Sequence, residues 1–268
     1  MRRKTNGQAT IIILTLMAMA VGMALVITRS VRTDIQITKV QEESARAFSA
    51  AEAGIESALY SWEPSSDPHE YSLETGEVSV LSTDLGKDKT EFVFPGTIKE
   101  GDFGIIWLVG HDENGNIDQT QYHSGNFIRA CWEDNAALEL ILFYRESVAG
   151  DYKTERWAYD PNDERRGANN FDKPKVSGCA GLDLRTASLR WPDGSIPLFL
   201  AVKVFYGDTP LGGWTEGTVF LSQGKLVTST GQVQSGADQV VSRRLQVLQT
   251  WDLPPLIFID PVFSGGGM

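Results

Sequence analysis

From Ala9 to Thr28 the chain reads ATIIILTLMAMAVGMALVIT, with no charged residue. At 1.5 Å of rise per helical residue, about 20 residues match the ~30 Å hydrocarbon core of a bilayer. Ile11, Ile12, Ile13, Leu14, Leu16, Val21, Leu25, Val26 and Ile27, at roughly 0.4 kcal/mol each, give about −4 kcal/mol of insertion free energy, enough to offset Gly22 and the threonines. Arg2, Arg3 and Lys4 form a basic flank. The positive-inside rule then leaves the N-terminus in the cytoplasm and exports the rest, with Arg29 and Arg32 pulling the other way. A cleaved signal peptide is the competing reading, because Ala18 and Ala20 supply an Ala-x-Ala pattern.

The residues after the apolar run argue against cleavage there. Residues 29–62 keep a helical composition without proline. Val31, Ile35, Val40, Ala47, Phe48, Ala51, Ile55, Ala58 and Leu59 recur mostly at three to five residues, which predicts one apolar helix face lying on the rest of the protein. Glu42 and Arg46 stand at i,i+4 in the favourable order. Pro64 disfavours the α conformation at Glu63 and ends the element. The expectation is a continuous helix over 8–62, transmembrane over 9–28, followed by a separate domain over 63–268, with Pro64 to Pro68 as a linker.

Charge divides the chain in the same way. Residues 1–46 carry seven bases against Asp34, Glu42 and Glu43, a net of +4, which leaves −15 for the remainder of a chain whose total is −11. An acidic surface repels phosphate backbones at long range, so direct nucleic-acid binding is not expected. Cys131 and Cys179, the only two cysteines, are too few for a zinc site. Outside the cytoplasm they either pair, closing a loop of roughly 50 residues for about 4 kcal/mol, or stay as two buried thiols.

Beyond Trp62 short β-rich runs recur between Gly, Asn, Asp and Pro: 103–110, 127–132, 138–144, 152–159, 182–191, 198–206, 226–229 and 240–247. No long helix is expected there. The spacing predicts a mostly antiparallel β head, a β-sandwich plus a terminal sheet laid on the helix. Overall this is an α+β chain.

Candidate chemistry in the head is thin. Asp112, Asn114, Asn116 and Asp118 place oxygens at alternate positions, as a calcium loop does, but Ile117 stands where the glycine is needed and His123 where the glutamate is. Asn114-Gly115 reads better as a hairpin turn. His69, His111 and His123 lack metal-ligand spacing and read as surface histidines. No Gly-x-Ser-x-Gly elbow or P-loop occurs, so neither an enzyme nor a bound cofactor is expected. Trp107, Trp132, Trp157, Trp191, Trp214 and Trp251 could make a sugar-stacking platform, although most read as core.

The basic leader ending in Gly7, the unbroken helix and the stretch Ala47-Phe48-Ser49-Ala50-Ala51-Glu52-Ala53-Gly54-Ile55-Glu56 together resemble the type IV pilin superfamily, and within it the PilX-like minor pilins. The resemblance covers roughly the first 60 residues. More weakly it reaches Gly224–Gly231 and Ser242–Val247, similar to a closing hairpin in which Thr230-Gly231 is the turn and the last strand an edge. It implies cleavage by a membrane prepilin peptidase after Gly7, leaving Gln8 as the mature N-terminus. The fifth mature position, a glutamate in major pilins, is Ile12 here, and no carboxylate lies between Gln8 and Arg29. A buried terminal amine without a counter-charge is costly, which points to a low-copy accessory subunit. Ile12, Phe48 and Glu52 are candidate subunit-packing residues, although Glu52 reads better as a solvated helix residue among alanines. Expected partners are other pilins and their assembly machinery. The expected location is the inner membrane with the head outside, then the cell surface. The alternative is a membrane-anchored sugar-binding module or hydrolase.

Overall fold

With no proline in its span and alanine, leucine and other good helix formers throughout, the N-terminal segment forms one helix, α1 (Asn6–Tyr60), of 55 residues or about 80 Å. The computed structural model describes residues 6–60, 65–112, 115–133, 135–235 and 239–252. After α1 come β1 (Ser65–Leu73), β2 (Gly76–Asp84), β3 (Glu91–Val93), β4 (Phe103–Trp107), β5 (Val109–His111), β6 (Ile117–Tyr122), β7 (Phe127–Trp132), β8 (Ala137–Arg145) and β9 (Tyr152–Tyr159). A short helix α2 (Asp163–Asn169) precedes β10 (Leu184–Arg185), β11 (Leu189–Arg190), β12 (Ile196–Phe205), β13 (Leu211–Trp214), β14 (Lys225–Ser235) and β15 (Gln239–Gln249). The chain is thus α+β, a long apolar N-terminal helix with antiparallel sheets.

Two compact units divide it. The first comprises Met1–Ser57, Pro68–Val80 and Thr228–Leu245, and the second Ala58–Asp67, Leu81–Val227 and Gln246–Met268. In the first, α1 meets a sheet of order β1-β2-β14-β15. Pro68 sits in β1, an edge strand, the place in a sheet where a residue without an N–H is tolerated. The segment expected to be a linker is therefore a strand from Ser65 onward, because a polar edge strand has a composition that sequence reading assigns to loops.

The second unit is built on β12, which pairs antiparallel with β4 on one side and β8 on the other, in the order β4-β12-β8-β9. Its sequence IPLFLAVKVF is apolar at nearly every position because both faces are covered. Leu200, Val202 and Val204 enter one core with Ile106 of β4 and Leu138, Leu140 and Leu142 of β8. Ile196, Leu198, Phe199 and Ala201 enter another with Ile105, Trp107 and Ile141. A register shift between Pro197 and Phe199 is what turns Leu198 and Phe199 to the same side. The larger core is closed by Ile128, Ala130 and Trp132 of β7 and Leu211 of β13, strands of a second sheet ordered β10-β7-β13-β3, with β11 also on β7. Cys131 and Cys179 are joined as a disulfide with their Cα atoms 5.6 Å apart.

Helix α2 follows from its capping chemistry. Asn162 accepts from the backbone N–H groups of Glu164 and Arg165, Asp163 and Glu164 occupy the first turn, and Asn170 closes the C-terminus in the left-handed conformation. Below it lies Asp160, fully buried. Its carboxylate accepts from Asn162 N (2.9 Å), from Arg165 Nε and Nη2 (3.0 and 2.7 Å) and from Asn169 Nδ2 (2.8 Å).

Candidate functional site

Helix α1 is the candidate site, and its two halves differ physically. Over Ile11 to Val40 every large apolar side chain is exposed, Ile12 at 57%, Leu16 at 61% and Val26 at 69%. The helix is long and apolar enough to cross a membrane. Its hydroxyls suit such surroundings: Thr15 donates to Ile12 O (2.9 Å) and Thr28 to Ala24 O (2.7 Å), so neither needs water. Gly7 and Gln8 lie on the backbone of the same helix.

From Glu43 onward a seam is buried: Glu43, Ala47, Ala50, Ala51, Gly54, Ile55 and Ala58. Spacings of three and four place them on one face. Val31, Ile35, Val40 and Phe48, expected on a docked face, are instead 49%, 62%, 55% and 42% exposed. Periodicity marks which residues share a face, but how far along the helix anything covers that face is decided by where the strands lie.

The seam is made of small residues because the backbones come close. A Cβ on Gly231 would collide with Ala47 O and lie 2.6 Å from Ala51 N. A Cβ on Gly54 would meet Ser229 Oγ and come within 2.8 Å of Val78 and Val80. The sequence predicts a hairpin turn at Thr230-Gly231, yet Gly231 lies inside β14. Its role is close approach to the helix, a use of glycine that reads the same as a turn in sequence. Around the seam Arg243 Nε and Nη2 donate to Ser44 Oγ at 2.8 and 2.6 Å, and Glu42 pairs with Arg46 at 2.6 Å. Glu52 is exposed. Near the helix end, the buried Lys225 Nζ donates to Ala58 O at 2.6 Å, a cation on the carbonyl-rich terminus where the helix dipole favours it.

Other residues singled out from sequence lie in the second unit. Asp112 closes a turn, accepting from Asn116 N at 2.8 Å and, through its carbonyl, from Gly115 N at 3.0 Å. Asp118 accepts from Thr120 N and Oγ1, which holds its carboxyl below the usual range. Asn114 lies outside the described residues. Among the described residues no group of three or more His, Cys, Asp or Glu side chains could hold a metal.

The expectation of three surface histidines is corrected. His69 is exposed, but His123 is 2% exposed beside Trp191 and Phe220, and His111 stacks on Trp251 at 4.5 Å. Burial pushes both imidazoles down to about 4. Flanking polar residues made them look exposed, and only the packing of distant aromatics reveals otherwise. Trp107, Trp132 and Trp191 are buried, and Trp214 is covered by the Arg129 guanidinium at 4.5 Å, so these four do not form an open stacking platform. Compared with known proteins, the sequence matches no protein-family model and no curated protein.

Proposed function

We propose that this chain is an accessory (minor) pilin of a type IV pilus or related secretion filament. Its head would be held outside the inner membrane by α1 until the subunit is drawn into a filament. The observation that carries the reading is the single unbroken helix of 55 residues, apolar and exposed in its first half and keyed through alanines and glycines to a four-stranded sheet in its second. Such a helix needs lipid first and neighbouring helices afterwards, since apolar area left in water costs about 25 cal/mol per Å². In this reading the larger β unit is a sandwich that serves adhesion, priming or docking, and the protein is not an enzyme. The lack of a carboxylate between Gln8 and Arg29 supports a tip or initiating place over a repeating one, because a terminal amine buried among copies of this helix would have no counter-charge.

Mass spectrometry of the membrane-extracted chain tests this. Co-expressed with a prepilin peptidase, the mature protein is expected to begin at Gln8, and Gly7→Val is expected to block processing. An intact Met1 in the presence of active peptidase, or a terminus near Ala20, would remove the reading.

A further inference from the structure

The outer face of the sheet containing β7 carries an arginine and aromatic cluster that the pilin reading does not use. Ile128, Ala130 and Trp132 point into the core, so Phe127, Arg129 and Cys131 point outward. Register puts Arg190 opposite Phe127, Trp214 opposite Arg129 and Arg185 opposite Cys131. The Arg129 guanidinium lies over Trp214 at 4.5 Å and over Phe127 at 5.1 Å, and Arg190 lies over Phe127 at 5.1 Å. Arg185 is held by Ser177 Oγ at 2.8 Å, on the loop that the Cys131–Cys179 bond fastens to β7.

Three like charges gathered in a head of net −13 are unfavourable unless something answers them. Burial, then the charges of Arg185 and Arg190, pull the Arg129 guanidinium below its usual value, and Glu216 opposes them. Among the described residues, Glu91, opposite Trp214 in β3, is the other acid that strand register brings to this face. Two carboxylates do not balance three guanidiniums. The Arg129 Nε is buried and without a hydrogen-bond partner, while its Nη2 donates to Ser188 Oγ at 3.3 Å. We infer that this face docks a short carboxylate-bearing segment of a partner protein, with Arg129 and Arg190 as its anchors.

The geometry favours that occupant over two others. Guanidiniums already cover the Trp214 and Phe127 rings, which leaves little aromatic face for a base or a sugar to stack on, whereas guanidinium N–H edges remain for a carboxylate fork. A long polyanion would also extend past the cluster onto acidic surface, while a short segment stays within about 10 Å, the screening length at 0.1 M salt. This docking face is independent of the pilin reading.

The test is fluorescence anisotropy of a labelled triglutamate peptide, about 10 Å long when extended, against the detergent-solubilised full chain at 50 mM salt. Saturable binding is expected, weakened at least tenfold by Arg129→Gln with Arg190→Gln and less than twofold by Arg156→Gln, which removes an equal charge from β9. Arg190→Gln alone, at an exposed position, is expected to weaken it at least threefold and serves if the double variant fails to fold. Absence of saturable binding overturns the inference, as does equal weakening by Arg156→Gln. Tighter binding of oligo-dT or of polygalacturonate than of the peptide overturns it in favour of a nucleic acid or an anionic glycan.

Discussion

At the scale of single residues, the absence of a side chain does as much as its presence. Gly231 and Gly54 let α1 and the sheet of its own unit approach backbone to backbone, and the nearest atoms facing Gly231 are main-chain atoms that cannot rotate away. Gly231→Val is therefore expected to destabilise by about 2–3 kcal/mol, the upper range for overpacking, and to raise amide exchange over residues 43–57. A urea midpoint within error of the parent would show that the seam is not tightly packed. His123 makes the opposite point, a titratable ring buried where it must stay neutral. Its value falls from 6.5 to about 4, so the unfolded chain binds the proton more readily. The stabilisation is complete above pH 6.5 and is lost as pH falls towards 4, by up to about 3 kcal/mol. His123→Gln should flatten the stability profile across that window, and an unchanged slope would contradict the assignment.

Among elements, α2 shows how local chemistry and one buried charge fix a short helix. Seven residues are too few to be stable alone, and none of the helix residues is buried. What holds it is Asp160 beneath. Burial by itself would raise that carboxyl, but the Arg165 fork, the Asn162 N–H and Asn169 outweigh it and hold the group below its usual range. Asp160→Ala leaves Arg165 without its counter-charge and is expected to cost about 3 kcal/mol, measured by denaturant unfolding. Asp160→Asn should recover part of that loss, because the amide still accepts from the Asn162 N–H. If both variants match the parent, the network contributes nothing. The same reasoning applies to the last described turn of α1, where Lys225 donates to the Ala58 carbonyl and its charge suits the carbonyl-rich end of a helix.

For the whole molecule, the disulfide and the charge distribution matter most. Cys131–Cys179 closes 48 residues, worth about 4 kcal/mol by loop-closure entropy. Reduction should lower the urea midpoint of the β unit and, because Ser177 on the fastened loop holds Arg185, loosen the arginine cluster as well. Unfolding curves that coincide with and without dithiothreitol would show the bond to be thermodynamically idle.

Much of this was legible in the chain because it is local. An uninterrupted apolar run, an i,i+4 ion pair and alternating apolar residues each act through neighbours a few positions away, and they determined the long helix and most of the strands around β12. The helix start at Asn162 was not expected from sequence, although its capping chemistry is equally local. What stayed hidden depends on residues far apart in sequence. Nothing adjacent to Gly231 says that Ala47 will lie against it, nothing beside His123 announces Trp191 and Phe220, and Arg129, Arg185 and Arg190 become one cluster only when β10 and β11 pair with β7. Periodicity names a face, whereas coverage, close approach and the summing of charge need three dimensions, because each is a property of distance in space.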